Sequence, residues 1–102
     1  PFLTTDTAAA LRASEIDAEV LMKATRVDGI YSADPEKDSS AKQFSQLTYQ
    51  EVLSQNLKVM DAAAISICRE KSIPILVFSF LEKNSIVNAV YGKSTGTIVK
   101  GD

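Results

Sequence analysis

The sequence predicts an α/β fold, a sandwich in which helices cover a mostly parallel sheet, and three observations carry that expectation. Two apolar runs, Val20-Leu21-Met22 and Pro74-Ile75-Leu76-Val77-Phe78-Ser79-Phe80, have the near-continuous hydrophobicity of strands covered on both faces. Segments with helical spacing and good capping residues lie before and between them. Polar turns and a charged linker separate these pieces, so helix and strand alternate along the chain.

The first element is an alanine-rich helix, residues 7 to about 16, with Ala8, Leu11 and Ile16 roughly on one face. Thr4, Thr5 and Asp6 precede it, and any of the three can cap it. Hydroxyls at a helix start, where backbone N–H groups are free and the dipole is positive, suit either a plain cap or a phosphate-binding end. The strand Val20-Leu21-Met22 then leads into a polar loop holding Thr25, Asp28, Gly29, Ser32 and Asp34, with Tyr31 in its midst. Asp28-Gly29 is a turn dipeptide. A strand-end loop with one aromatic face, a hydroxyl and carboxylates fits a nucleoside pocket as well as an ordinary turn.

The linker of residues 35–41 is charged and polar, and residues 43–47 have the makings of a short strand. Thr48 followed by Glu51 forms a capping-box pattern at the head of the next helix. Leu57, Val59 and Met60 lead to Asp61, a second cap, for a helix from 62 to about 71 with Ala63, Ile67 and Cys68 apolar and Arg69, Glu70 and Lys71 at its solvated end. Residues 74–80 form the second buried parallel strand, rich in β-branched and aromatic side chains. A short helix over 84–91 and a last strand around 97–99 complete the series.

Composition narrows the function. The chain has 102 residues, 45% of them hydrophobic, enough for one compact unit. A formal charge of −2 gives no electrostatic reason to expect nucleic acid or an anionic membrane as partner. No apolar stretch approaches the roughly 20 residues that span a bilayer. The single cysteine, Cys68, excludes an internal disulfide framework, and the absence of histidine excludes Ser-His-Asp and Cys-His chemistry within the chain. Zinc ligands are too few, and no GxxxxGK[ST] loop is present. Phosphoryl transfer stays open, because it asks for positioning and charge neutralisation without a protein nucleophile.

The stretch PFLTTDTAAALRASEIDAEVLMKATRVDGIYSADP, with LTYQEVL and LKVMDAAAISICRE after it, resembles the carboxyl-terminal half of the bacterial uridylate (UMP) kinase family, within the amino acid kinase superfamily. The similarity runs from Pro1 to about Val99; FxTTDTAAA at this spacing from KATxVDGxYxADP is its most specific part. Leu3 and the run Ser79-Phe80-Leu81-Glu82 depart from the usual pattern.

The resemblance implies a three-layer αβα sandwich of which residues 1–102 are the carboxyl-terminal, ATP-binding half, the amino-terminal half with its lysine-bearing glycine-rich loop being absent. It implies a cytoplasmic enzyme of pyrimidine nucleotide biosynthesis that transfers the γ-phosphoryl of MgATP to UMP, homohexameric at full length and regulated by GTP or UTP. This half alone is then expected to be inactive. Asp6 would be catalytic, orienting lysines and the transferring phosphate. Thr25, Tyr31, Asp34 and Lys23 would serve ATP, with Tyr31 against adenine and Val59 and Met60 as apolar walls or core residues. Pro1, Phe2, Leu3, Thr4 and Thr5 would lie on the UMP side. Mg2+ would enter with ATP, with no dedicated protein metal site. Other readings are a different superfamily member, such as an aspartate, glutamate or carbamate kinase, or a non-catalytic nucleotide-binding regulatory module.

Overall fold

The computed structural model describes residues 5–57, 59–81, 84–90, 92 and 96–101. Helix α1 (Thr5–Glu15) precedes strand β1 (Leu21–Thr25), and a two-residue strand β2 (Ile30–Tyr31) follows. Strands β3 (Gln43–Phe44) and β4 (Gln46–Leu47) lead to α2 (Tyr49–Ser54) and α3 (Ala62–Glu70). Strand β5 (Ile75–Ser79), helix α4 (Ser85–Val90) and strand β6 (Thr97–Val99) close the described chain. The main sheet has the order β1-β5-β6-β4, and β2 and β3 form a separate antiparallel pair. β1 runs parallel to β5 and β4 parallel to β6, while β5 and β6 are antiparallel. The result is the expected α/β fold with a mixed, mostly parallel sheet.

Register sorts the sheet into two faces. Leu21, Lys23 and Thr25 stand beside Ile75, Val77 and Ser79, and Thr97 and Val99 continue that row. This face carries the main core, in which Leu47, Val52, Ile65, Ile75, Val77 and Val99 pack with Ala10, Ala13 and Ala64 of the covering helices. Met22, Ala24, Leu76, Phe78 and Ile98 lie on the other face. There Phe78 and Ala89 are buried outside the main cluster, with α4 packed against β5.

Three details differ from the sequence reading. β1 is not covered on both faces: its residues alternate between half-buried and exposed, because it is the last strand of the sheet among the described residues. It also runs on through Lys23 to Thr25, since a parallel ladder is made by backbone groups and is indifferent to where the apolar run stops. Residues 43–47 do not form one strand. They break at Ser45, with Gln43 and Phe44 pairing to the β2 side and Gln46 and Leu47 to β6.

The third difference is the buried face of α1. It consists of Thr7, Ala10 and Ala13, and not of Ala8, Leu11 and Ile16, of which Leu11 is 37% and Ile16 60% exposed. α1 packs on α3, whose Ala64 is fully buried, and a row of small side chains lets two helices approach closely. Spacing alone favoured the larger residues; close approach favours the smaller ones.

At α2 and α3 the caps stand where the sequence places them, whereas α1 already begins at Thr5, so Thr5 and Asp6 lie within it and do not cap it. At Thr48 both halves of the capping box form, with Glu51 N donating to the Thr48 hydroxyl at 3.0 Å and Thr48 N to Glu51 Oε1 at 2.9 Å. Asp61 caps α3 by accepting from Ala64 N at 2.8 Å. The other ends share a device that lacks its usual glycine. Asp17, Asn56 and Ser72 take positive φ of 52°, 52° and 55° just after α1, α2 and α3. The next residue then closes a Schellman bond in each case: Ala18 N to Ala13 O at 2.9 Å, Leu57 N to Val52 O at 3.0 Å and Ile73 N to Cys68 O at 2.8 Å. The Tyr49 hydroxyl donates to Ile73 O at 2.5 Å, joining α2 to the entry of β5.

Cys68 lies fully buried on α3, as expected, and burial pushes its thiol pKa up, so it stays protonated and unreactive. The final position of the helix expected over 84–91 lies outside the described residues. No helix among the described residues is long and apolar enough to cross a membrane.

Because both capping-box bonds form at Thr48, Thr48→Ala should lower stability by about 1 kcal/mol. Chemical denaturation with an unchanged m-value would read this out, and a loss below about 0.3 kcal/mol would show that the cap is replaced by water.

Candidate functional site

The start of α1, the middle of β1 and the approach to α3 meet at one lysine. Lys23 lies on the core-facing row of β1, where an ammonium cannot be left without partners, so its stem runs along the sheet and its head reaches out to polar groups. Its Nζ lies 3.2 Å from Asp6 Oδ2 and 3.4 Å from Oδ1, and it also donates to the carbonyl of Val59. The two side chains are 27% and 30% exposed, so the pair is neither sealed in the core nor fully screened.

A second link ties the same elements. The Thr7 hydroxyl donates to Asp61 Oδ1 at 2.9 Å, the oxygen that also accepts from Ala64 N. One carboxylate oxygen thus caps α3 and holds α1 beside it. The N-terminal ends of an 11-residue and a 9-residue helix are brought together next to an ammonium group. This meeting of one cation, two helix starts and the carboxylates of Asp6 and Asp61 is the candidate site. It sits toward the carboxyl end of β1, the side on which open α/β sheets bind ligands.

The loop leaving β1 is built as tightly. The Thr25 hydroxyl donates to Val27 O at 2.5 Å and accepts from Val27 N at 3.1 Å, which turns the chain sharply out of the strand. Gly29 then passes where no side chain fits: a Cβ there would stand 2.5 Å from Gln43 Nε2 and 2.7 Å from Thr97 Oγ1. Thr97 is fully buried, and its hydroxyl accepts from Ile30 N at 2.9 Å and donates to Phe44 O at 2.5 Å. One hydroxyl therefore fastens the β2/β3 pair to the main sheet. The Tyr31 hydroxyl donates to Asp28 Oδ1 at 2.6 Å.

The structure thus brings Asp6 and Lys23 into contact and places Thr25 and Tyr31 at the two ends of the turn that follows. Asp34 is exposed on the hairpin loop, its Oδ1 accepting from Glu36 N at 2.9 Å and its carbonyl from Lys37 N and Asp38 N. Pro35 stands at the second position of that turn, where its fixed φ suits it. Further along, the hydroxyl and N–H of Ser40 hold the exposed Asp38 carboxyl below the usual carboxylate range. Thr5 is the exposed first residue of α1, while Pro1, Phe2, Leu3 and Thr4 lie outside the described residues.

Sequence reasoning missed four contributions, from Thr7, Asp61, Val59 and Thr97. Thr7 read as a helix residue and Asp61 as a cap alone, and only the helix pairing shows that they bond to each other. The Val59 side chain is buried, and it is the backbone carbonyl, invisible to any motif, that reaches Lys23. Thr97 gave no signal beyond strand propensity. An open depression of about 390 Å3 bordered by Tyr49, Arg69, Ser72 and Gly101 lies at the opposite end of the sheet, where β5 begins and β6 ends. Among the described residues no three His, Cys, Asp or Glu side chains cluster as metal ligands do.

Known proteins are similar to this chain over nearly all its length. The chain is 56% identical over 100 residues to a uridylate kinase of Magnetococcus marinus, covering 98% of this chain and 42% of the relative. It is 54% identical over 99 residues to a uridylate kinase of Hydrogenovibrio crunogenus, covering 97% of this chain and again 42% of the relative. The crystal structure of UMP kinase from Bacillus anthracis superposes with a TM-score of 0.95 at 36% identity, covering all of this chain and 42% of that one. The chain therefore spans less than half the length of these relatives. Its residues 1–79 match the amino acid kinase family, and with the α/β sheet and helix pairing described above this shows that the chain belongs to that family.

Proposed function

We propose that this chain is the carboxyl-terminal, ATP-binding half of a UMP kinase, which transfers the γ-phosphoryl group of MgATP to UMP to give UDP. The observation that carries the reading is the Lys23 ammonium held between Asp6 and the Val59 carbonyl where two helices begin. Support comes also from the uridylate kinases to which the chain is similar over nearly all its length. The motif resemblance extends the reading to a cytoplasmic, homohexameric enzyme of pyrimidine nucleotide biosynthesis, regulated by GTP or UTP.

Phosphoryl transfer spreads negative charge over the transferred group's equatorial oxygens, and catalysis is mainly positioning and neutralisation of that charge. Lys23 supplies a cation with three N–H donors, aimed by one carboxylate and one carbonyl. Asp6 fixes the ammonium and, on the resemblance, a second lysine from the rest of the enzyme. The Thr7–Asp61 bond keeps the two helix starts together beside Lys23. Thr5, one residue before Asp6 at the start of α1, takes the UMP side together with Pro1, Phe2, Leu3 and Thr4. Tyr31 offers adenine its ring, and Thr25 and Asp34 serve ATP as hydrogen-bonding groups. Mg2+ enters as part of the ATP substrate.

In the complete enzyme Asp6→Asn keeps side-chain size while removing the charge opposite Lys23. It should lower kcat by on the order of a hundredfold, the scale of a lost transition-state contact, with little change in Tm. Activity within a factor of a few together with a lower Tm would assign Asp6 to helix stability instead. Tyr31→Ala removes an aromatic surface comparable to those on which bases stack, so ATP affinity should fall about five- to hundredfold while UMP affinity holds. Titrations with each nucleotide separate the two, and an equal loss for both would move this loop to another part of the enzyme. The 102-residue chain by itself should form no UDP from ATP and UMP. Steady turnover by this chain as a purified monomer would end the half-enzyme reading.

A further inference from the structure

We propose that Asp28 is a positioning residue of the ATP site, its carboxylate fixing the Tyr31 ring in the orientation that the nucleotide meets. The inference rests on the reading of Tyr31 as the adenine-facing residue and adds the reason why the ring is ready for it.

The Tyr31 hydroxyl donates to Asp28 Oδ1 at 2.6 Å, a short charge-assisted bond across three residues of the turn. The backbone of this segment does not depend on it. Ile30 N is held by Thr97, and β2 is paired to β3. What the bond adds is control of the side chain: a half-buried tyrosine with two rotatable bonds is tethered at its far end.

The backbone that carries the acceptor is itself held. The Asp28 carbonyl accepts from Gln43 Nε2 at 2.8 Å. The neighbouring Gly29 is packed so closely on Gln43 and Thr97 that no Cβ fits. The phenol is thus bonded to a short side chain that rises from a held stretch of backbone. Without the tether, ATP would have to order the ring on binding, at a cost that appears as weaker ATP affinity and leaves the chemical step unchanged.

A double-mutant cycle in the complete enzyme tests this. Asp28→Ala and Tyr31→Phe each remove one end of the bond and should each raise the KM for ATP about three- to tenfold, with kcat and the KM for UMP within about twofold of the parent. The double variant should be no worse than either single one, because both delete the same interaction. Asp28→Asn keeps an oxygen acceptor and should return the KM for ATP to within about twofold of the parent.

Additive losses in the double variant, or a loss in Asp28→Ala with Tyr31→Phe silent, would overturn the proposal. So would parallel rises in both KM values with a falling Tm, which mark a turn that merely needs Asp28 to fold. Tyr31→Ala in the same series separates the two levels. If it weakens ATP while Tyr31→Phe and Asp28→Ala do not, positioning by Asp28 is refuted and the ATP site stands. If Tyr31→Ala leaves ATP binding untouched, the ATP-site reading falls and takes the proposal with it.

Discussion

Strand β5 is the constraint on which the remaining structure depends. Four of its five residues are buried, so its backbone N–H and C=O groups have no water to turn to and must be paired along both edges. β1 satisfies one edge in parallel and β6 the other in antiparallel sense. That choice sets Lys23 beside Val77 and Thr97 on the opposite flank of the same residue, in the row facing the helices. Two polar side chains on a core-facing row are costly unless bonded, and the site and its loop are the bonds that satisfy them. The structural demand of the sheet and the placing of the charged groups are therefore one problem with one solution.

The economy with which polar atoms are used follows from this. Thr97, fully buried, uses its hydroxyl as acceptor and donor to hold a hairpin. Asp61 Oδ1 caps one helix and binds the other. Lys23 joins a carboxylate on α1 to a carbonyl just before α3. Each group connects segments far apart in sequence, such as Thr7 with Asp61 and Ile30 with Thr97, so the geometry of the site is set by tertiary contacts and not by any one loop. Contacts of this kind fix relative positions, which is what the proposed reaction would ask of them.

The hairpin between β1 and β4 carries the nucleoside-facing residues of the proposed enzyme on a framework that local sequence could only partly announce. Asp28-Gly29 signalled a turn, and a turn is there. Its tightness comes from Gln43 and Thr97, 14 and 68 positions downstream of Gly29. Thr25 and Asp34 looked like free ligand groups, and both use oxygen atoms to shape their own turns. Thr and Asp side chains commonly bond nearby backbone groups in this way and so favour turns.

The sequence by itself determined what depends on near neighbours. The capping box at Thr48, the Asp61 cap, the buried β5 and Cys68 were all legible, because a cap acts across three residues and a fully buried strand reads as an unbroken apolar run. The TTDTAAA and KATRVDG motifs marked Asp6 and Lys23 as candidates through resemblance. Only the tertiary structure decided that these two touch, that small residues form the buried face of α1, that residues 43–47 split between two sheets, and that Val59 contributes its carbonyl. The reason is physical. Period and propensity describe how one segment presents its side chains, whereas the packing distance between α1 and α3 and the registers of β5 with its neighbours are properties of pairs of segments, which no single stretch of sequence encodes.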